Sequence, residues 1–194
     1  MKRSVIAPLY LCGDIMDFYT VDTGYVKALN QTDSEVFYDS NYEQKPYVGM
    51  VIVANGYNYF IPLTSAKSKH RKWKNVNCDN YLIYEIIKVS RSIPKNWVYT
   101  INPSTNDVKH ILAVLDIKKM IPVPTRLCNK IQFNSITDKE YRALLLKEYY
   151  FLKPLFPTIQ TKAQKLYNYQ INTGIVKTYY CNFKLLESIC DTYK

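Results

Sequence analysis

The chain holds only two histidines in 194 residues, His70 and His110, and they are far apart. A paired-histidine acid–base mechanism therefore lacks a second member, since only His70 lies near a basic segment. The five cysteines (Cys12, Cys78, Cys128, Cys181 and Cys190) are odd in number, scattered and never in a C-x-x-C pair. No structural zinc site or other metal site is expected from them, and a reducing cytoplasm is the expected compartment. There is no Walker loop, no G-x-G-x-x-G and no G-x-S-x-G, which removes the common nucleotide-cradling and serine-hydrolase readings. No apolar run approaches the roughly 20 residues of a membrane helix. Lys2 and Arg3 before Val5–Cys12 faintly mimic an export signal, but the run is short, contains Pro8 and is followed by Asp14 and Asp17. Residues 1–16 are instead expected to be a dispensable extension. Acidic residues are also few, 16 against 26 Lys and Arg, for a net charge of +10. Such an excess points to a polyanionic partner, most often nucleic acid, with a merely basic globular protein as the alternative.

What is present describes one globular domain over residues 1–194, with 47% hydrophobic and 22% charged residues. Residues 17–124 read as mainly β. Phe18–Val21 is a short strand, Gly24–Asn30 a brief helix, and Tyr47–Ala54 a nearly continuous apolar strand. Asn55 and Gly56 then form the strongest short hairpin signal, with Tyr57–Leu63 as the returning strand. Tyr81–Val89, Trp97–Ile101 and a bent or divided Ile111–Val123 follow, punctuated by Pro94, Pro103, Pro122 and Pro124. From residue 137 the period changes to helical. Asp138–Leu152, Thr158–Tyr169 and an Asn182-capped segment reaching Ile189 are the expected helices, with Pro154 and Pro157 breaking the first. The expected fold class is α+β: a compact, curled antiparallel sheet or partial barrel with a helical C-terminal part packed on it. Nineteen tyrosines invite a stacking role, but Lys, Asn and Ile are abundant too, as in a low-GC coding sequence.

The chemistry concentrates after Pro62. Thr64, Ser65 and Lys67 supply two hydroxyls and an ammonium where a hairpin strand leaves the sheet. Lys69, His70, Arg71, Lys72, Trp73 and Lys74 follow immediately. Hydroxyls beside an ammonium suit a phosphodiester, and the cations and indole behind them suit an RNA strand. Spacing alone leaves two alternatives open: a phosphate clamp with a nucleic-acid-binding loop, or turn residues with a solvated basic surface. Lys45, before Pro46, reads by itself as an edge lysine. If the chain is an enzyme, its proton transfers fall to Lys, Tyr, Ser or Thr. Metal-free RNA cleavage accepts such groups, because the substrate's own 2′-hydroxyl attacks the phosphorus.

Five segments in order resemble one family. They are Phe18-Tyr19-Thr20 with Tyr25, Lys45-Pro46-Tyr47-Val48-Gly49, Ile61-Pro62-Leu63-Thr64-Ser65-Ala66-Lys67, Met120-Ile121-Pro122-Val123, and Cys181-Asn182-Phe183 with Leu185-Leu186-Glu187. The pattern is similar to the ToxN/AbiQ endoribonuclease toxins of type III toxin–antitoxin systems. Lys45-Pro46 stands where some relatives read Pro-Lys, and Ala66 replaces a proline found in others. The resemblance implies a MazF/Kid-like sheet and metal-independent, sequence-selective RNA cleavage to 2′,3′-cyclic phosphate and 5′-hydroxyl ends, with no cofactor. It implies Tyr25, Lys45, Thr64, Ser65 and Lys67 as catalytic positions and Tyr42 as an RNA contact. The implied partners are target RNA and a repeat-derived pseudoknot antitoxin RNA, which the toxin processes and with which it builds a ring-like hetero-oligomer, in the setting of abortive phage infection. The alternative reading is an RNA-binding module without catalysis.

Overall fold

The computed structural model describes residues 16–39, 45–88 and 92–194; Tyr42 and the extension over residues 1–15 lie outside them. Eight strands form one antiparallel sheet: β1 (Asp17–Val21), β2 (Tyr47–Ala54), β3 (Tyr57–Ser65), β4 (Asn80–Lys88), β5 (Val98–Ile101), β6 (Asp107–Asp116), β7 (Ile121–Pro122) and β8 (Cys128–Lys130). Their order is β4-β6-β3-β2-β1-β8, with β5 paired to β6 and β7 to β3. The expected α+β class with an antiparallel sheet is therefore found. The sheet stays open, ending at β4 and β8, rather than closing into a barrel.

The sheet is organised around the hairpin at Asn55 and Gly56. Both residues take left-handed backbone, φ 54° and 83°, which matches the twist of the strands they join. β2 and β3 pair from Ala54↔Tyr57 to Tyr47↔Pro62, with a bulge between Val48 and Ile52. Gly49 lies in that bulge under a crossing pair of rings, Tyr19 and Phe60, whose centroids are 5.3 Å apart. A Cβ at Gly49 would collide with both rings, so only glycine admits them there.

β3 then changes partners. Its first part pairs with β2 and β7, whereas Leu63, Thr64 and Ser65 pair with Leu115, Val114 and Ala113 of β6. The change falls at Pro62, which has no N–H to offer a ladder, and the next N–H, from Leu63, goes to the Pro46 carbonyl at 2.9 Å. Thr64 and Ser65 are consequently still within the strand, not beyond its end as the sequence suggested. The predicted Ile111–Val123 segment divides into the end of β6, a 3₁₀ turn at Ile117–Lys119 and β7. β8 was not foreseen: three residues offer no periodicity to detect.

Four α-helices complete the chain: α1 (Thr23–Thr32), α2 (Lys139–Leu152), α3 (Phe156–Thr173) and α4 (Phe183–Asp191). Asp22, Asp138 and Asn182 cap α1, α2 and α4 through side-chain oxygens that accept first-turn N–H groups. Pro157 was expected to break a helix; it sits in the first turn of α3, where no N–H is needed. Gly174, at φ 69°, ends that helix. α3 packs on β2 and α4 on β7, so the helical part covers the sheet as expected. Within that layer the Tyr59 and Tyr167 hydroxyls each donate to Glu187 Oε1 at 2.8 Å, which satisfies a buried carboxylate. Among the described residues no helix is long and apolar enough to cross a membrane.

Candidate functional site

The partner change in β3 places Thr64, Ser65 and Lys67 along one wall of a cleft of about 310 Å³. Thr64 Oγ1 donates to the Val114 carbonyl at 3.2 Å, which ties its rotamer to β6. Ser65 and Lys67 are exposed to the opening. The lining also includes Phe37 and Tyr38 from the segment after α1, with Asp116 and Lys119 from the end of β6 and the turn beyond it. Lys119 is pinned to Glu35, donating to both its carbonyl and its carboxylate. Burial pushes the Asp116 carboxyl above the usual range, and its Oδ1 is buried without a hydrogen-bond partner.

His70, read from the sequence as an RNA contact, lines the same cleft but is almost wholly buried. It is 4% exposed, at the inner edge of the 3₁₀ turn Ser68–Lys72. Its Nδ1 accepts the Lys67 N–H at 2.9 Å, while the His70 backbone N–H donates to the Lys67 carbonyl at 2.8 Å. Burial, reinforced by the charges of Lys69 and Lys67, lowers its pKa to about 4. The ring therefore stays neutral near pH 7, an acceptor that fixes the backbone carrying Lys67. His70→Ala is expected to reduce turnover about tenfold by loosening Lys67, as small misplacements of catalytic groups do. The rate–pH profile between pH 5.5 and 9 should keep its shape; a lost inflection in that range would mean that His70 itself transfers a proton.

Lys45 is the most perturbed cation near the site. It is 9% exposed, and its Nζ lies 3.0 Å from the centroid of the Phe37 ring. Lys67 Nζ lies 5.9 Å from the same ring, so the two lysines converge on Phe37. Burial first, then repulsion from Lys67, lowers the Lys45 pKa to about 7, partly opposed by Asp39. An amine with that pKa is half neutral at physiological pH, the condition for accepting a proton. As sequence, Lys45 was an edge lysine; the tertiary fold makes it a candidate base.

Tyr25 does not join this constellation. It is fully buried on α1, donating its hydroxyl to the Pro122 carbonyl at 2.6 Å and packing edge-on against Tyr193 at 5.0 Å. Burial pushes its ionisation far above the ordinary tyrosine range, so it is no base. The family resemblance implied a catalytic position for Tyr25; in the structure it is a core residue spanning α1, β7 and the chain end. Tyr25→Phe is expected to cost about 1–2 kcal/mol in urea denaturation by leaving the Pro122 carbonyl unpaired. Specific activity of the folded fraction should remain within twofold of wild type, and a drop of tenfold or more would restore Tyr25 to the site.

The basic run divides by position. Lys69 and Trp73 line the cleft. Arg71 turns away, with its guanidinium 5.4 Å from the Tyr99 ring of β5. Lys72 and Lys74 are exposed outside the cleft lining. Phe37, Tyr38, Asp116 and Lys119 were missed. The only sequence signal for them was an aromatic pair amid polar residues and a charged break in an apolar strand, neither of which indicates a site. Among the described residues, no three His, Cys, Asp or Glu side chains cluster as metal ligands would.

Residues 17–191 match the family model described as toxin ToxN of type III toxin–antitoxin systems. Endoribonuclease ToxN of Bacillus thuringiensis subsp. kurstaki is 32% identical over 187 residues, covering 91% of this chain and 84% of the relative. Endoribonuclease AbiQ of Lactococcus lactis subsp. lactis is 25% identical over 179 residues, covering 91% and 88% respectively. A solved structure from work on selective toxin inhibition by a non-coding RNA pseudoknot has a TM-score of 0.64 and 28% identity, covering 92% of this chain and 97% of that chain. A structure of AbiQ, described as a lactococcal anti-phage endoribonuclease, shares the fold with a TM-score of 0.64 at 23% identity. With the match extending from β1 to α4, the chain belongs to the ToxN toxin family of type III toxin–antitoxin systems.

Proposed function

We propose that the protein is a sequence-selective endoribonuclease toxin that cuts RNA by internal transphosphorylation at the Thr64–Lys67 cleft. Neutral Lys45 accepts the proton of the ribose 2′-hydroxyl, and the resulting oxygen attacks the adjacent phosphorus. Lys67 holds the charge that builds on the nonbridging oxygens, with Ser65 and Thr64 as hydroxyl partners of the phosphate. The P–O5′ bond breaks and the departing 5′ oxygen takes a proton from solvent, leaving a 2′,3′-cyclic phosphate on one fragment and a 5′-hydroxyl on the other. The observation carrying this reading is the convergence of two lysines on Phe37, Lys45 held near neutrality on one side of the ring and Lys67 in the cleft with Thr64 and Ser65 on the other. Each catalytic group comes from the protein or the substrate, so the reaction requires no metal.

The same cleft would accept a strand of a folded inhibitory RNA; likeness to a toxin described as inhibited by an RNA pseudoknot and to AbiQ, described as anti-phage, supports a repeat-derived pseudoknot as the antitoxin and phage defence in the cytoplasm as the setting. A ring-like assembly of toxin and RNA follows if each RNA unit bridges two toxin molecules. The test is incubation of purified protein with RNA in EDTA and analysis of the fragment ends by mass spectrometry. Cyclic phosphate and 5′-hydroxyl ends are expected. A 5′-phosphate with a free 3′-hydroxyl would overturn the mechanism, and loss of cleavage in EDTA would overturn its independence of metal.

A further inference from the structure

We propose that single-stranded RNA leaving the cleft past Trp73 is guided along a ladder of alternating rings and ammonium groups, Trp73–Lys118–Tyr180–Lys177–Tyr169, ending on the outer face of α3 next to the exposed loop that leads to α4. This rests on the reading of the cleft as an RNA site. Trp73 lines the cleft. Lys118 Nζ lies 5.9 Å from the Trp73 ring centroid and 6.0 Å from that of Tyr180. Lys177 Nζ lies 5.7 Å from the Tyr180 ring and 5.1 Å from that of Tyr169. Each cation thus joins two aromatic residues, and the series runs continuously from the cleft to the surface of α3. None of Lys118, Tyr180, Lys177 and Tyr169 belongs to the basic run that the sequence singled out.

The ladder is held in place rather than loosely tethered. The Cys181 N–H donates to the Lys118 carbonyl at 3.0 Å, and the Tyr180 N–H to the Lys177 carbonyl at 3.1 Å. The Tyr180 hydroxyl is bonded to Asp79, and Lys118 also pairs with Asp116 at 3.7 Å. Tyr179, between these anchors, has left-handed backbone (φ 68°) and is 68% exposed. A bulky side chain in that conformation is unfavourable, and such strain collects where a side chain is presented to a ligand. Ile175 and Val176 beside it are exposed as well, and Tyr169 presents its ring on the outer face of α3.

Alternating π faces and ammonium groups suit a single strand. Bases stack on rings whatever their identity, and the lysines exchange ring contacts for phosphates at the same spacing. The ladder therefore adds affinity for RNA flanking the scissile phosphate without adding sequence preference.

The experiment measures binding of 2′-deoxy-blocked RNA by fluorescence anisotropy, using strands centred on the cleavage site mapped for the wild-type protein, or oligouridylate if none is cut. Each strand is tested with its 5′ flank, its 3′ flank or neither. Lys177→Ala combined with Tyr169→Ala changes only exposed side chains. It is expected to weaken binding about tenfold for one of the two flanked RNAs, with the trimmed RNA unaffected. The salt dependence of the affected complex should fall by about one phosphate contact. Unchanged affinity for both flanked RNAs would overturn the ladder; if toxicity fell at the same time, the surface would instead be a protein contact. Flank-dependent binding by a wild-type protein that cuts no RNA would keep the ladder and remove the catalytic reading.

Discussion

Lys67→Ala is expected to slow RNA cleavage by about 10²–10³-fold and to relieve toxicity on expression without its antitoxin RNA, since one preorganised donor at a charged transition state has that effect. Lys67 is exposed and makes its side-chain approach to Phe37 across open cleft, so the variant should unfold at the wild-type urea concentration. That separates a catalytic loss from a folding loss. Ser65→Ala should lower the rate by a smaller factor, about tenfold, because a neutral hydroxyl contributes roughly half of what a charged donor does. Single-turnover cleavage of one labelled RNA measures both. Full toxicity in Lys67→Ala cells would remove the strand end of β3 from the mechanism.

Lys45→Arg is expected to abolish the pH dependence along with most of the activity. With a pKa near 7, Lys45 is a free amine above that pH, so the wild-type rate should rise through pH 6–7 and level off above about 7.5. Arginine cannot release its proton, so the variant should show a rate about 10²–10⁴-fold lower with no inflection there. A rate that falls as pH rises through 7 would instead make Lys45 an acid or a fixed charge.

The same perturbation has a stability consequence whose sign can be worked out. Lys45 binds its proton less tightly in the folded protein than in the unfolded chain. Between about pH 7 and the ordinary lysine range the unfolded state holds a proton that the folded state lacks, so stability rises with pH across that window. At pH 7 nearly the whole penalty is present. Lys45→Met should therefore stabilise the fold at pH 7 by about 2 kcal/mol or more, at roughly 1.4 kcal/mol per unit of displaced pKa. The gain should shrink toward pH 10. Urea melts at the two pH values, set beside the lost activity, would show function held at the expense of stability.

Much of this was readable from order along the chain. The Asn55-Gly56 turn, the bounds of β2, and the cap Asn182 are local features, set by backbone conformations that short sequences prefer. The Thr64–Lys67 segment was readable for a related reason, since its chemistry is contiguous. The burial of Tyr25 and His70 was not readable, because burial has no local signature. A tyrosine on an amphipathic helix and a histidine within a basic run look exposed until the elements packing over them are known.

The sequence by itself determined the fold class, the hairpin that delivers Thr64, Ser65 and Lys67, and the polyanion-seeking charge. Each depends on residue type and on spacing over a few positions. Only the tertiary structure decided which residues act together. It put Phe37 between Lys45 and Lys67, which stand 22 positions apart in the chain, and it buried Lys45 deeply enough to move its titration to neutrality. It also brought Lys118 and Lys177 to the rings of Tyr180. Desolvation and charge proximity are properties of three-dimensional neighbours, so a pattern of letters cannot carry them.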